Sequence, residues 1–301
     1  MKISFDEVRA NNRKSFFMFI MFFALLAIMG LVVGLFLGSP FAGLIISVVF
    51  AIIYSWIMFY SGSNMILSIT GAKPVTKQEF PHLFNTVEGL TIAAGLPVVP
   101  KCYVINDSAL NAFATGRDPK HSAIVVTTGL MEKLNRQELE GVIAHEMSHI
   151  QNYDIRIMML ASVLVGVIIL LSDVLLRSFL YGGGRRSSND NNNSQIIFIV
   201  IGLALAILAP FIAQLIKLSI SRKREFAADA NAVTLTRYPQ GLANALRKIS
   251  ADPDPLVDHA NKATAHLFIS TPFRKKKNGF FTRVFSTHPP IEERIKRLDE
   301  M

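Results

Sequence analysis

His145-Glu146-Met147-Ser148-His149 lies inside a run whose apolar residues, Leu139, Val142, Ile143, Met147 and Ile150, recur at helical spacing. Asn135 followed three positions later by Glu138 has the pattern of a capping box, so the helix is expected to start there. It should end near Asn152 or run on into the apolar stretch that begins at Ile157. On a helix, side chains four apart lie one above the other. Both imidazoles can then face one metal ion, and Glu146, about a third of a turn further round, can reach a water bound to it. That is the ligand and base arrangement of a zinc-dependent peptidase.

A catalytic zinc takes three protein ligands and keeps a fourth position for water, so two histidines leave one ligand to find. The segment Ser221-Arg222-Lys223-Arg224-Glu225-Phe226-Ala227-Ala228-Asp229 offers it. Glu225 and Asp229 are four apart and share one face of a second helix; Glu225 is placed to ligate, and Asp229 to orient a histidine through its ring N–H. On spacing alone the same segment also reads as a basic, solvated helix start.

The composition is that of a membrane protein: 51% of residues are hydrophobic and the mean hydropathy is +0.38. Phe16 to Gly38 is uncharged over 23 positions, long enough to cross a bilayer. Phe41 to Tyr60 is a second uncharged run after the short Ser39-Pro40 connection, Ile157 to Leu180 a third candidate, and Gln195 to Ile216 a fourth, kinked at Pro210. The first run is too long and too uniformly apolar for a cleaved signal peptide. Asp173 and Arg177 fall inside the third run, four apart, and read as residues near the outer interface or facing other helices.

Four spans divide the chain into a tail (1–14), two spans (15–60), a first catalytic piece (61–156), two more spans (157–216) joined by loop 181–194, and a second catalytic piece (217–301). Pieces 1–14, 61–156 and 217–301 carry 4, 8 and 16 Lys or Arg, which is 28 of 31. The positive-inside rule puts them, and with them the active site, in the cytoplasm, with Lys2, Arg9, Arg13 and Lys14 beside the first span as the best marker. The net charge of +9 suits anionic lipid, whereas no aromatic platform or basic repeat supports nucleic-acid binding.

Four ordered segments resemble the M48 peptidase family: Asn111-Ala112-Phe113-Ala114-Thr115-Gly116, Ala144 to His149, Ser221 to Asp229, and Thr287-His288-Pro289-Pro290. The apolar runs between them fall where that family has them, so the similarity spans nearly the whole chain. It implies one zinc per chain held by His145, His149 and Glu225, with Glu146 as general base and Asp229 supporting a zinc-binding histidine as in the wider gluzincin group. It further implies that His288 touches the substrate or stabilises the tetrahedral intermediate, and that Asn111, Ala112 and Phe113 line the substrate groove. The Gly- and Asn-rich loop 181–194 matches nothing.

Ala109–Thr115 and Ser122–Thr128 have strand character around the turn residues Gly116-Arg117-Asp118-Pro119. An exposed edge of such a hairpin accepts an extended peptide by strand addition; an ordinary hairpin packed on the metal helix is the other reading. The single Cys102 excludes an intrachain disulfide and a Cys-ligated zinc. His82, His121, His259 and His266 read as surface or packing residues. Arg274-Lys275-Lys276-Lys277-Asn278-Gly279 reads as a loop near the membrane surface, and Ile291, Ile295 and Leu298 mark a closing amphipathic helix.

The expected fold is predominantly α-helical: a multi-pass protein of four transmembrane helices with a zincin-like cytoplasmic catalytic domain carrying a small β-sheet. The expected activity is zinc-dependent endopeptidase cleavage. The resemblance adds misfolded membrane proteins as substrates, self-cleavage, a bacterial cell membrane and a stress-response role. Two rival classes are a transporter, which would want ionisable groups along several spans, and a zinc-bearing but inactive membrane scaffold, which would not need Glu146.

Overall fold

The computed structural model describes residues 5–36, 38–167, 222–252, 264, 267–269 and 289–301. Helix α1 runs Phe5–Phe36 and α2 Pro40–Ile69, packed side by side. Ser39 precedes Pro40 at the first helical position, where a missing N–H costs nothing and the fixed φ starts the helix. A Cβ on Gly30 would strike Ser47 and the Gly43 carbonyl, so glycine lets the two backbones touch. Phe16, Leu35, Phe41, Ile46 and Trp56 point outward from the pair. Among the described residues these two helices are long and apolar enough to cross a membrane. Arg9, Arg13 and Lys14 belong to the first turns of α1, and α2 continues past Tyr60 to Ile69.

Beyond α2 come β1 (Lys73–Pro74), α3 (Pro81–Ala94), β2 (Lys101–Ile105), β3 (Ala112–Asp118) and β4 (His121–Thr127). The sheet order is β1-β2-β4-β3, with β2 and β4 parallel and the other pairs antiparallel. The expected hairpin is present with shifted limits: β3 begins at Ala112 and carries Gly116 and Arg117 within the strand. A register shift between Gly116 and Asp118 lets pairing continue to Asp118 opposite His121, leaving Pro119-Lys120 as the turn. The Asp118 carboxylate closes that turn by accepting from the His121 backbone N–H at 2.9 Å. Residues Ala109 to Asn111 are held outside the strand by Thr127, whose hydroxyl donates to the Ala109 carbonyl and accepts from the Asn111 N–H.

Helix α4 (Thr128–Lys133) leads into α5 (Arg136–Gln151), which carries the motif. The capping box is formed in both directions: Asn135 Oδ1 accepts from the Glu138 N–H, and Glu138 Oε2 accepts from the Asn135 N–H. Helix α5 ends at Gln151, and α6 (Asp154–Val167) leaves at 83° to it. Tyr153 at the corner has φ 62, a left-handed conformation that ends a helix without glycine. Both expectations for the helix end are thus met in part, a stop and then a new helix.

Helices α7 (Arg222–Thr236) and α8 (Pro239–Ala251) pack on α5, and α9 (Ile291–Asp299) packs on α7 and α8. Gly141 of α5 faces α8 so closely that a Cβ would stand 2.6 Å from the Leu242 nitrogen. Helix α9 forms as its spacing predicts, with Leu298 buried and Ile291 and Ile295 against the core. Of the third expected span only Ile157 to Val167 is described, as part of α6. The fourth span, the loop 181–194, Asp173, Arg177, Pro210, His259, His266, the basic run at 274–277 and His288 lie outside the described residues.

Candidate metal centre

His145 and His149 project from one face of α5 into the interior, each no more than 4% exposed, with their Nε2 atoms 3.2 Å apart. Glu225, in the first turn of α7, brings Oε2 to 3.7 Å from His145 Nε2 and Oε1 to 3.6 Å from His149 Nε2. Two donors each about 2.1 Å from a tetrahedral zinc stand about 3.4 Å apart. The three observed separations straddle that value, and the three buried groups bring their ligand atoms within 4.8 Å of one another. The donor set, two imidazoles and a carboxylate, suits a borderline divalent ion. Glu146, adjacent on α5 and buried, lies close enough for its charge to raise the proton affinity of both His149 and Arg294.

Each histidine is held from behind by its own carboxylate. Asp229, one turn beyond Glu225, places Oδ1 2.9 Å from His145 Nδ1. Asp154, the first residue of α6, places Oδ2 3.0 Å from His149 Nδ1. A proton on each Nδ1, donated to these oxygens, leaves both Nε2 lone pairs directed at the shared centre. Burial favours the neutral His149 ring, but the hydrogen bond to Asp154 and the charges of Glu225, Asp154 and Glu146 outweigh it and raise its pKa to about 9.

The expected role of Asp229 therefore has a specific partner, His145, while Asp154 was not anticipated. Nor was Arg294, the largest fully buried side chain among the described residues. Its Nε and Nη2 donate to Asp229 Oδ2 and Oδ1 at 2.9 and 2.7 Å, a two-pronged pair. Nη2 also lies 3.4 Å from both ring nitrogens of His145, so the guanidinium rests against the ring, in line with neither lone pair. Burial pushes the Asp229 carboxyl up, but the Arg294 charge and the hydrogen bonds from His145 and Arg294 hold it down at about 2. A sequence signal for Arg294 existed: it falls three residues after Ile291 and four before Leu298, on the apolar face of α9.

Asn111, Ala112 and Phe113 are all buried, at the start of edge strand β3, which packs on α5. The free side of this strand is met by the chain itself: the Ile269 N–H donates to the Ala112 carbonyl at 3.1 Å, and Phe268 stacks edge-on against Phe113 at 5.1 Å. His82 and His121 are on the surface, as read from sequence. Cys102 is buried and unpaired with any other sulfur.

Residues 77–301, which include every residue of this centre, match Peptidase family M48. The chain belongs to peptidase family M48. A "Protease HtpX homolog" of Dictyoglomus turgidum is 46% identical over 299 residues, covering 99% of this chain and 94% of its own length. A "Protease HtpX homolog" of Streptococcus gordonii is 43% identical over 300 residues and is covered to 99%, as is this chain. The crystal structure of S. mikatae Ste24p aligns at 24% identity with a TM-score of 0.44, over 81% of this chain and 58% of that one. With two membrane-length apolar helices and a buried His145, His149 and Glu225 group, this M48 chain is a membrane metallopeptidase.

Proposed function

We propose that the chain is a zinc metalloendopeptidase of the bacterial cell membrane that hydrolyses misfolded or damaged membrane proteins, itself among them, with its active site facing the cytoplasm. The observation that carries this reading is the convergence of His145 Nε2, His149 Nε2 and the Glu225 carboxylate beside Glu146. His145, His149 and Glu225 would hold one zinc ion, which supplies an acidified water and a Lewis acid for the scissile carbonyl. Glu146 takes the proton of the attacking water and delivers it to the leaving amine nitrogen. Asp229 and Asp154 keep each imidazole in the tautomer that presents Nε2. Arg294 keeps Asp229 ionised. His288 is the proposed donor to the developing oxyanion, and loss of such a donor costs about a hundredfold to a thousandfold in rate. Asn111, Ala112 and Phe113 are proposed to line the substrate groove. Because the Ala112 carbonyl already accepts from the Ile269 N–H, an extended substrate pairs with β3 there only by displacing that contact. Four spans, with the third and fourth bringing Glu225 back to α5, complete the topology.

The test uses full-length protein purified in detergent under chelator, then given zinc and an unfolded substrate such as casein, wild type beside Glu146→Gln with bound metal counted in both. Zinc-dependent cleavage that disappears in a variant still holding one zinc supports the peptidase and the role of Glu146. Equal cleavage by both proteins sinks that role, and equal metal with no cleavage by either moves the reading to a zinc-bearing scaffold.

A further inference from the structure

Asn11 lies on α1, far from the centre in sequence and within the apolar window of the first membrane-length helix, yet it is only 2% exposed. Its Nδ2 donates to Asp154 Oδ1 at 2.7 Å and to the Asn152 carbonyl at 2.9 Å. Its Oδ1 lies 3.4 Å from Arg224 Nη1, which also donates to Asp154 Oδ1 at 3.1 Å. The orientation of the amide is fixed by these partners, since both groups facing Nδ2 only accept and the one facing Oδ1 only donates. The next residue adds to the grip: Asn12 Oδ1 accepts from Arg156 Nη1 at 2.8 Å.

The contact is placed at a sensitive point. Asp154 has two oxygens with separate tasks: Oδ2 holds His149 Nδ1 at 3.0 Å, and Oδ1 is held by Asn11 and Arg224. It sits just past the corner at Tyr153, where the chain leaves α5 at 83°, so the short link from His149 is not itself a rigid helix. What fixes the carboxylate is therefore the pair of donors from α1 and α7. Asn11 also ties down the Asn152 carbonyl, at the end of α5, which leaves the corner clamped on both sides.

We propose that Asn11 is a positioning residue of the metal centre: through Asp154 it sets the orientation of the His149 ring, and so makes the first membrane helix part of the metal site. The inference rests on the reading of His145, His149 and Glu225 as metal ligands. Outer partners of ligating histidines carry about a tenfold to hundredfold effect on metal affinity. Asn11 acts one bond further out, so an effect of about tenfold is expected.

The experiment measures zinc affinity by competition with a chromophoric chelator, on the full chain in detergent, for wild type, Asn11→Ala, Asp154→Ala and the double variant. Ser15→Ala serves as the control, because Ser15 is buried on the same helix and, among the described residues, its hydroxyl donates to the Asn11 carbonyl rather than to Asp154. Expected is about tenfold weaker zinc in Asn11→Ala, no change in Ser15→Ala, and no further loss when Asn11→Ala is added to Asp154→Ala. Wild-type affinity in Asn11→Ala overturns the proposal, and so does an undiminished effect in the Asp154→Ala background or an equal loss in Ser15→Ala. Should Asn11→Ala not fold, Asn11→Asp asks the same question with a donor replaced by an acceptor, and unchanged affinity there is equally fatal. A wild-type chain that binds no zinc removes the metal-centre reading itself, a different result from a variant matching a wild type that does bind.

Discussion

Arg294 and Asp229 form a buried, two-pronged ion pair whose carboxylate also holds the ring of His145. Removing one partner leaves a charge without compensation in the interior, which typically costs about 3–5 kcal/mol. Arg294→Met should therefore lower thermal stability in detergent by about that amount. Arg294→Lys should recover only part of it, because an ammonium cannot reproduce the fork. The pair contributes fully above the unfolded Asp pKa of about 3.9, and its contribution fades as pH falls through the folded value of about 2. A melting curve for wild type against Arg294→Met between pH 7 and pH 2 should thus converge at the acid end.

Asp229→Asn keeps the shape of the side chain while weakening its hold on His145 Nδ1. Zinc affinity should fall by about ten- to a hundredfold, with one site still countable at high zinc. Glu225→Ala removes a proposed ligand, and metal analysis after gel filtration should then find well under one zinc per chain. Full occupancy in Glu225→Ala would assign the third ligand elsewhere.

Protons compete with metal at His149. In the metal-free protein its pKa is about 9, so at neutral pH the ring is charged and a metal must displace that proton. Apparent zinc affinity should rise with pH and level off above about 9, with proton release on binding near neutrality. The same shift has a stability consequence in the metal-free chain. The charged ring stabilises the fold fully below the unfolded His pKa of about 6.5, and this contribution is lost as pH rises through about 9. Chelator competition and thermal melts over pH 6 to 10 test the two trends.

Burial pushes the Cys102 thiol up to about 12, with the charge of Glu88 adding to it. At pH 8 it is a neutral thiol inside β2, so iodoacetamide should leave the native chain unlabelled and modify it only in denaturant. Mass spectrometry of the intact protein reads the result, and labelling of the native chain at the denatured rate would contradict the burial.

Gly141→Ala places a methyl against the Leu242 backbone, where no side chain can swing away. Helix α8 has to move, at about 1–3 kcal/mol. A melting temperature equal to wild type would show that α5 and α8 part more easily than their contact suggests.

The buried group of His145, His149 and Glu225 was legible in part because helices put residues four apart on one face, as His145 with His149 and Glu225 with Asp229. On spacing alone the 221–229 segment also read as a solvated helix start, and the resemblance to M48 peptidases singled out Glu225. The capping box at Asn135 and Glu138 was legible for the same local reason. Asp154 was not, since it reaches His149 only by the left-handed turn at Tyr153, and nothing in Gln151-Asn152-Tyr153-Asp154 marks a right-angled corner rather than a continuing helix. Arg294 carried a readable sign, a charge on the apolar face of α9, but its partner lies 65 residues away. Asn11 read as part of a tail because its partners are more than 140 residues distant. The strand limits slipped because a bulge at Gly116 keeps turn-like residues inside β3.

Order of synthesis follows from where the parts of the centre sit along the chain. The two histidines leave the ribosome first, Glu225 and Asp229 later, and Arg294 last of all. At ordinary elongation rates on the order of ten seconds separate His149 from Arg294. From the emergence of Asp229 until that of Arg294, the carboxylate lacks the guanidinium that pairs with it, and α9 has not yet covered α7 and α8. A growing chain therefore carries its motif helix well before the buried Arg294–Asp229 pair behind His145 can form.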